Sequence, residues 1–263
     1  MTTPAWTPAF DTLPLCGSVA HWAACFRNAQ SWPSTEQLNA LAEAQNLRNA
    51  AGHAVRFAEQ TSACGQLDYE QQILETGQVP TRLASAHDFF NALIWLTFPR
   101  TKAALNAVQC HELASAPKGQ RSPASNAATL FDESGLVLVA RDADLADLLR
   151  TKQWQAAFWE QRKKWHEARF YVIGHALMEK GLAPYPGMTG KCLFLQMDAL
   201  PEAGPPPPAL DAAIAEAWLN GAVTKPADLF VMPVLGVPGF DAANAKAAYY
   251  DNTEVFRPPR TTG

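Results

Sequence analysis

Two stretches of this chain carry the residue types that proton transfer and metal binding require. The first runs from His87 to Lys102 and sets His87, Asp88, Asn91, Arg100 and Lys102 into the most apolar and aromatic segment present. Polar side chains in such surroundings must find partners or be used for something. The second is His175 with Glu179, an i, i+4 pair that shares one helical face. A histidine beside a carboxylate is what a general base needs. Two histidines from different helices, joined by a carboxylate, also make a mixed ligand set for a divalent cation. The spacing is not H-E-x-x-H, so it names neither the metal nor a zincin mechanism. Asp132, next to Glu133, reads as a turn carboxylate that could orient His87 or hold a cation. The expected catalytic set is therefore His87, Asp88, Asp132 and His175, with Glu179 completing the shell.

Each residue also has a plainer reading. Ser85 makes Asp88 the third residue of a helix, where a carboxylate is ordinary. An isolated histidine on a buried face is more often a satisfied core residue than a ligand. Asp132 beside a Ser-Gly pair suits a turn for backbone reasons alone.

Substrate contacts are expected from Asn91, Arg100, Lys102 and Asn106. Arg100 and Lys102 follow Pro99 at a helix start, where free N–H groups favour an anion. Lys102, Asn106 and Gln109 share a face, which could equally be a solvated one. These residues suit a hydrolase-type enzyme acting on a small anionic substrate, with a divalent metal as candidate cofactor. The alternative is a non-catalytic binding protein whose polar residues form a buried structural network. A third reading is an anion or nucleotide sensor that uses Arg100 and Lys102 without chemistry. Arg162, Lys163 and Lys164, flanked by Trp159 and Trp165, leave nucleic acid as a minor alternative.

The elements that must position these residues follow from periodicity and caps. Ser34 and Gln37 open a helix over 34–47, and 54–60 reads as a strand. Residues 67–74 are its partner strand or a short helix. Ser85 opens a helix to about 98, with Phe90, Leu93, Ile94 and Thr97 on its apolar stripe; Pro99 starts another to about 109. Residues 114–126 read as a polar loop. Residues 128–140 read as a β-hairpin with Asp132 to Gly135 as its turn. From 142 to 181 the pattern is helical, with breaks near Thr151 and Trp165 and a C-cap at Gly181. Strands are expected over 192–197 and 229–235, and a helix over 209–220. The aromatics of the final segment, Phe240, Tyr249, Tyr250 and Phe256, should pack it onto the body.

The fold class expected is α+β: one helix-rich domain with short antiparallel strands and hairpins, spanning 34–263 and preceded by an irregular Pro- and Trp-rich segment over 1–33. The 263 residues are 48% hydrophobic and 17% charged, with a net charge of −4, which argues against a disordered chain and a whole-surface nucleic-acid binder. No G-x-G-x-x-G, Walker A or G-x-S-x-G motif occurs. The 5 cysteines include no C-x-x-C pair, as expected of thiols in a reducing compartment. The first residues lack a signal-peptide pattern, and the longest apolar run is too short to cross a bilayer, so a cytoplasmic location is expected.

Several motifs together resemble one family. They are Gly77-Gln78-Val79-Pro80-Thr81-Arg82, the run from His87 to Asn106, Thr129-Leu130-Phe131-Asp132-Glu133, Gly174-His175-Ala176-Leu177-Met178-Glu179-Lys180, Val234-Leu235-Gly236-Val237-Pro238-Gly239, and the stretch from Tyr250 to Pro258. Over roughly residues 50–260 the chain resembles the proteobacterial family called domain of unknown function 3025. The resemblance implies a single domain and a bacterial source, and no particular reaction. One departure is Ala86, where the family pattern leads one to expect a Trp before the His-Asp pair; it touches packing rather than the polar set.

Overall fold

The computed structural model describes residues 5–60, 66–115 and 120–259. In chain order the elements are α1 (Ala23–Phe26), α2 (Thr35–Ala44), β1 (Arg56–Glu59), α3 (Gln66–Thr76), β2 (Gln78–Thr81), α4 (Ala86–Thr97), α5 (Pro99–Ser115), α6 (Pro123–Ser134), β3 (Gly135–Ala140), α7 (Asp144–Arg150), β4 (Ala168–Val172), α8 (His175–Lys180), β5 (Thr189–Gln196), α9 (Pro208–Leu219) and β6 (Phe230–Pro233). This is the α+β class expected. The larger sheet has the order β4-β3-β5-β6, and β1 and β2 form a separate parallel pair.

The central strand β3 is buried along its whole length, from Gly135 to Ala140. It runs antiparallel to β4 and parallel to β5, so the sheet is mixed. A strand covered on both faces reads as a continuous apolar run, as Leu136 to Val139 does.

Two local expectations are overturned. Residues 128–140 are not a hairpin: Thr129 to Ser134 close helix α6, and only β3 is a strand. The helix wins because Ser122 caps it, accepting from the Ser125 N–H, with Pro123 at its first position. The stretch 142–181 is not helical throughout. Residues 168–172 form β4, and a π-helical turn over 156–160 and a 3-10 turn over 162–167 lead into it. Phe170 therefore lies in a strand and Ile173 at its exit, and neither is helical. Residues 67–74 take the helical option, in α3. Of the loop expected over 114–126, residues 116–119 lie outside the described residues, and helices α5 and α6 take both flanks.

Packing explains why α4 can carry polar groups at all. Phe89, Phe90, Leu93, Ile94, Trp95 and Leu96 are all buried. Phe89 collects edge contacts from Trp6, Phe10, Phe26 and Trp32, so residues 6–32 close over this helix. Phe158 stacks between Trp154, Trp165 and Tyr250, and Phe256 meets it edge-on, which fastens the final segment. No helix among the described residues is long and apolar enough to cross a membrane.

Candidate metal centre

The start of α8 is pressed against the α6–β3 junction. Gly174 makes this approach: a Cβ there would sit 2.4 Å from the Ser134 Cα and 2.6 Å from the Glu133 carbonyl oxygen. The N–H groups of Ile173 and Gly174 both donate to the Gly135 carbonyl at 2.9 Å. His175 thereby enters α8 directly beside Asp132 and Glu133 at the end of α6. From the other side, α4 packs against α8 and brings His87.

Three elements thus deliver one cluster. The Nε2 atoms of His87 and His175 stand 3.0 Å apart, with the rings nearly perpendicular at 80°. His87 Nδ1 lies 3.1 Å from Glu179 Oε2. His175 Nδ1 lies 3.7 Å from Asp132 Oδ2, and this buried nitrogen has no hydrogen-bond partner. Glu133 Oε1 is 3.9 Å from His175 Nε2. One ligand atom from each of His87, Glu133 and His175 lies within 4.8 Å of the others. His175 is buried, whereas the side chains of His87 and Glu133 are 28% and 45% exposed, so the cluster opens to solvent.

Charge follows burial. Burial holds the His175 imidazole neutral, with its pKa lowered to about 3 although Asp132 pulls the other way. Burial would raise Asp132, but Lys102, with His175 and His87, outweighs it and keeps the carboxyl ionised. Burial raises Glu133, and His87 opposes the shift. Lys102 Nζ pairs with Asp132 Oδ1 and lies 5.6 Å from the centre of the Trp95 ring.

Behind this layer is a second buried polar group. Asn106 Nδ2 donates to Glu70 Oε2 at 2.7 Å and to the Glu70 carbonyl at 2.9 Å. Burial lifts the Glu70 carboxyl to about 7. Asn91 Nδ2 donates to the Tyr69 hydroxyl at 3.1 Å.

The structure therefore brings His87, His175 and Asp132 together and adds Glu133 and Glu179. Asp88 is engaged elsewhere: its carboxylate takes Arg82 through Nε at 2.9 Å and Nη2 at 2.8 Å. Asn91, Lys102 and Asn106 are buried and bonded internally. The helix start at Arg100 is already served by an anion, since Asp211 accepts from the N–H groups of Arg100 and Thr101 at 2.9 Å each. The basic stretch is engaged within the chain as well: Arg162 bonds Asn244 and Tyr250, and Lys164 pairs with Asp144.

Sequence reasoning passed over Glu133 as a ligand, and Arg82, Tyr69 and Glu70 altogether. Glu133 was open to discovery once 129–134 was taken as helix, because a carboxylate on the last turn of α6 then abuts Gly174. Glu70 carries no local signal; only the packing of α3 on α5 buries it.

No curated protein and no solved structure matches this chain. The run from the β1 region to the final aromatic segment, which holds every residue of the cluster, is where the chain finds its relatives: it belongs to the family described as protein of unknown function (DUF3025), which it matches over residues 55–260.

Proposed function

We propose that this chain is a divalent-metal hydrolase, a bacterial cytoplasmic enzyme in which His87, His175 and Glu133 hold the ion. One observation carries the reading. A carboxylate is the neighbour of Nδ1 in both imidazoles, hydrogen-bonded at His87 and 3.7 Å away at His175, and its charge favours the tautomers protonated there. Both Nε2 lone pairs then face each other at 3.0 Å. Two lone pairs at that separation repel unless a proton or a metal cation lies between them, and an ion held by both takes the place of the proton. Zinc with Zn–N bonds of about 2.0–2.1 Å in a tetrahedral shell would set the nitrogens about 3.3 Å apart, close to the spacing found.

Two imidazoles and one carboxylate leave a coordination position for water, and a bound divalent ion brings that water's pKa to about 7. Glu179 and Asp132 would orient the imidazoles and stabilise the charge they share with the ion. Half-exposed Glu133 would bind the ion or take the proton of the attacking water. The substrate is a small molecule with a hydrolysable ester, amide or phosphoester bond. Free thiols at Cys16, Cys25, Cys110 and Cys192 support a reducing compartment.

Elemental analysis tests this on purified wild type, His87→Ala, His175→Ala and Glu133→Gln, followed by 4-nitrophenyl phosphate and 4-nitrophenyl acetate assays. About one zinc per wild-type chain, lost in both histidine variants, is expected. No metal after equilibration with micromolar zinc would sink the reading. Iron instead of zinc would keep the centre but overturn hydrolysis, because this ligand set also suits ferrous oxygen chemistry.

A second reading is a non-catalytic binding protein. The inward pairing of Lys102 with Asp132 and Asn106 with Glu70 favours it, as these groups serve the interior. A metal-free wild type, with histidine variants that fold but are less stable, would point that way.

A further inference from the structure

We infer that Arg82 recognises an oxyanion, the carboxylate or phosphate of a substrate, at the mouth of the His87–Glu133–His175 centre; the inference rests on that centre binding a cation as proposed above. Arg82 follows β2 directly and begins the short loop into α4. Its main-chain N–H donates to Asp88 Oδ2 at 2.6 Å, and its Nε and Nη2 grip the same carboxylate. Asp88 is the residue after His87 and is itself buried. Its own N–H is capped by the Ser85 hydroxyl at 3.3 Å. One carboxylate thus fixes the loop in three places, tying the guanidinium to the helix turn that carries His87.

The loop holds strain as well. Ala84 sits at φ 51°, in the left-handed region where a non-glycine residue costs about 1 kcal/mol or more. Strain of this kind persists where the surroundings enforce a particular loop shape. What that shape presents is a guanidinium whose side chain is 57% exposed despite its bidentate partner. Asp88 uses two of the five N–H donors of the fork. The other three have no partner among the described residues. Leu83 beside it is exposed too, and offers apolar contact to the rest of a ligand.

Location ties this group to the centre. After Asp88, the carboxylate of Glu179 is among the charges that keep Arg82 in its charged form. Glu179 is the partner of His87 Nδ1. The carboxylate that faces His87 therefore also acts on Arg82, and Asp88, which clamps the guanidinium, is the next residue after His87 on α4. A planar fork held rigid by one carboxylate and still half free is pre-organised for a second two-oxygen anion. Lys102 cannot do the task, since Asp132 occupies it, and the N–H groups at the start of α5 are already filled by Asp211.

The test uses the full chain equilibrated with zinc, and inorganic phosphate as probe. Phosphate binding is measured by calorimetry for wild type, Arg82→Gln and Arg82→Lys, with zinc content determined for each. The expected result is equal zinc in all three, phosphate affinity at least tenfold weaker in Arg82→Gln, and an intermediate value for Arg82→Lys, which keeps the charge but not the fork. If Arg82→Gln fails to fold, Arg82→Lys decides: it must fall at least threefold below wild type. Parallel titrations with acetate distinguish a carboxylate from a phosphate group as the preferred oxyanion. Equal zinc with unchanged affinity for both anions overturns the role of Arg82 and leaves the metal centre standing. Absence of zinc from the wild type overturns the metal centre and, with it, this inference.

Discussion

His87 and His175 meet Nε2 to Nε2 at 3.0 Å while a carboxylate stands at the far nitrogen of each, Glu179 at 3.1 Å and Asp132 at 3.7 Å. The two carboxylates are not equivalent. Glu179 is half exposed and hydrogen-bonds His87, whereas Asp132 is held by Lys102 inside the protein. The pair of imidazoles is thus braced from a wet side and a dry side.

Removing either brace should weaken cation binding without abolishing it. Glu179→Gln and Asp132→Asn are each expected to lower zinc affinity about 10–100-fold, as loss of such outer partners does, with one zinc still bound at saturation. Competition against a chromogenic chelator would measure this. Wild-type affinity in both variants would mean that the imidazoles are oriented by packing alone.

Lys102 serves Asp132 and not a substrate, and its removal should show it. Lys102→Met leaves a buried carboxylate without a counter-charge, at a cost of about 3–5 kcal/mol. The double variant Lys102→Met/Asp132→Asn should be less destabilised than the sum of the two single changes. Denaturant unfolding of the four proteins gives the coupling. Additive costs would mean that the pair is not a unit.

The legible part of this fold was the part whose signals are local. Ser34-Gln37 and Ser85 announced α2 and α4, and both side chains cap as expected. Pro99 marked the α4–α5 boundary. The misreadings fell where tertiary burial governs. Leu136 to Val139 looked like the return strand of a hairpin, because an apolar run following Ser-Gly invites that pairing. Its partners are instead β4 and β5, from 30 or more residues further on. The β4 stretch Ala168–Val172 sits among helix formers, and propensity there lost to an open edge on β3. At the site, His87, Asp132 and His175 could be named because histidines and carboxylates in apolar surroundings are rare. Arg82 could not, since an arginine in a loop looks like solvent-facing charge until the Asp88 contact is seen.

Glu70 gives a pH signature that separates the inner network from the cluster. Its folded pKa, about 7, lies above the ordinary 4.5 because it is buried. The folded protein therefore holds the extra proton between these values. That contribution is fully present below about pH 4.5 and is lost as pH rises through 7. Glu70→Gln carries no charge at any pH and brings a donor for the unpartnered Asn106 Oδ1. The variant should gain on wild type as pH rises from 5 to 8, by on the order of 3 kcal/mol at most. Urea unfolding at each unit of pH would show it. A gap that stays constant or narrows over this range would mean that Glu70 is ionised and paired inside the fold.

Asp211 reaches from α9 to the start of α5 and takes the place that an external anion would occupy. Its two oxygens accept from Arg100 N–H and Thr101 N–H, and the Thr101 hydroxyl donates back to the Asp211 carbonyl at 3.3 Å. Asp211→Ala would orphan two N–H groups, one of them at fully buried Thr101, and should cost about 2 kcal/mol or more. Asp211→Asn keeps one good acceptor and has no charge to bury, so it should cost less than the alanine change. Burial already disfavours the ionised form, which is why the Asp211 carboxyl lies above its ordinary range even with these donors. If Asp211 is the resident anion, Arg100→Ala should leave phosphate affinity at the wild-type value while Asp211→Ala lowers the melting temperature. A marked loss of phosphate binding in Arg100→Ala would instead return the anion site to the α5 N-terminus.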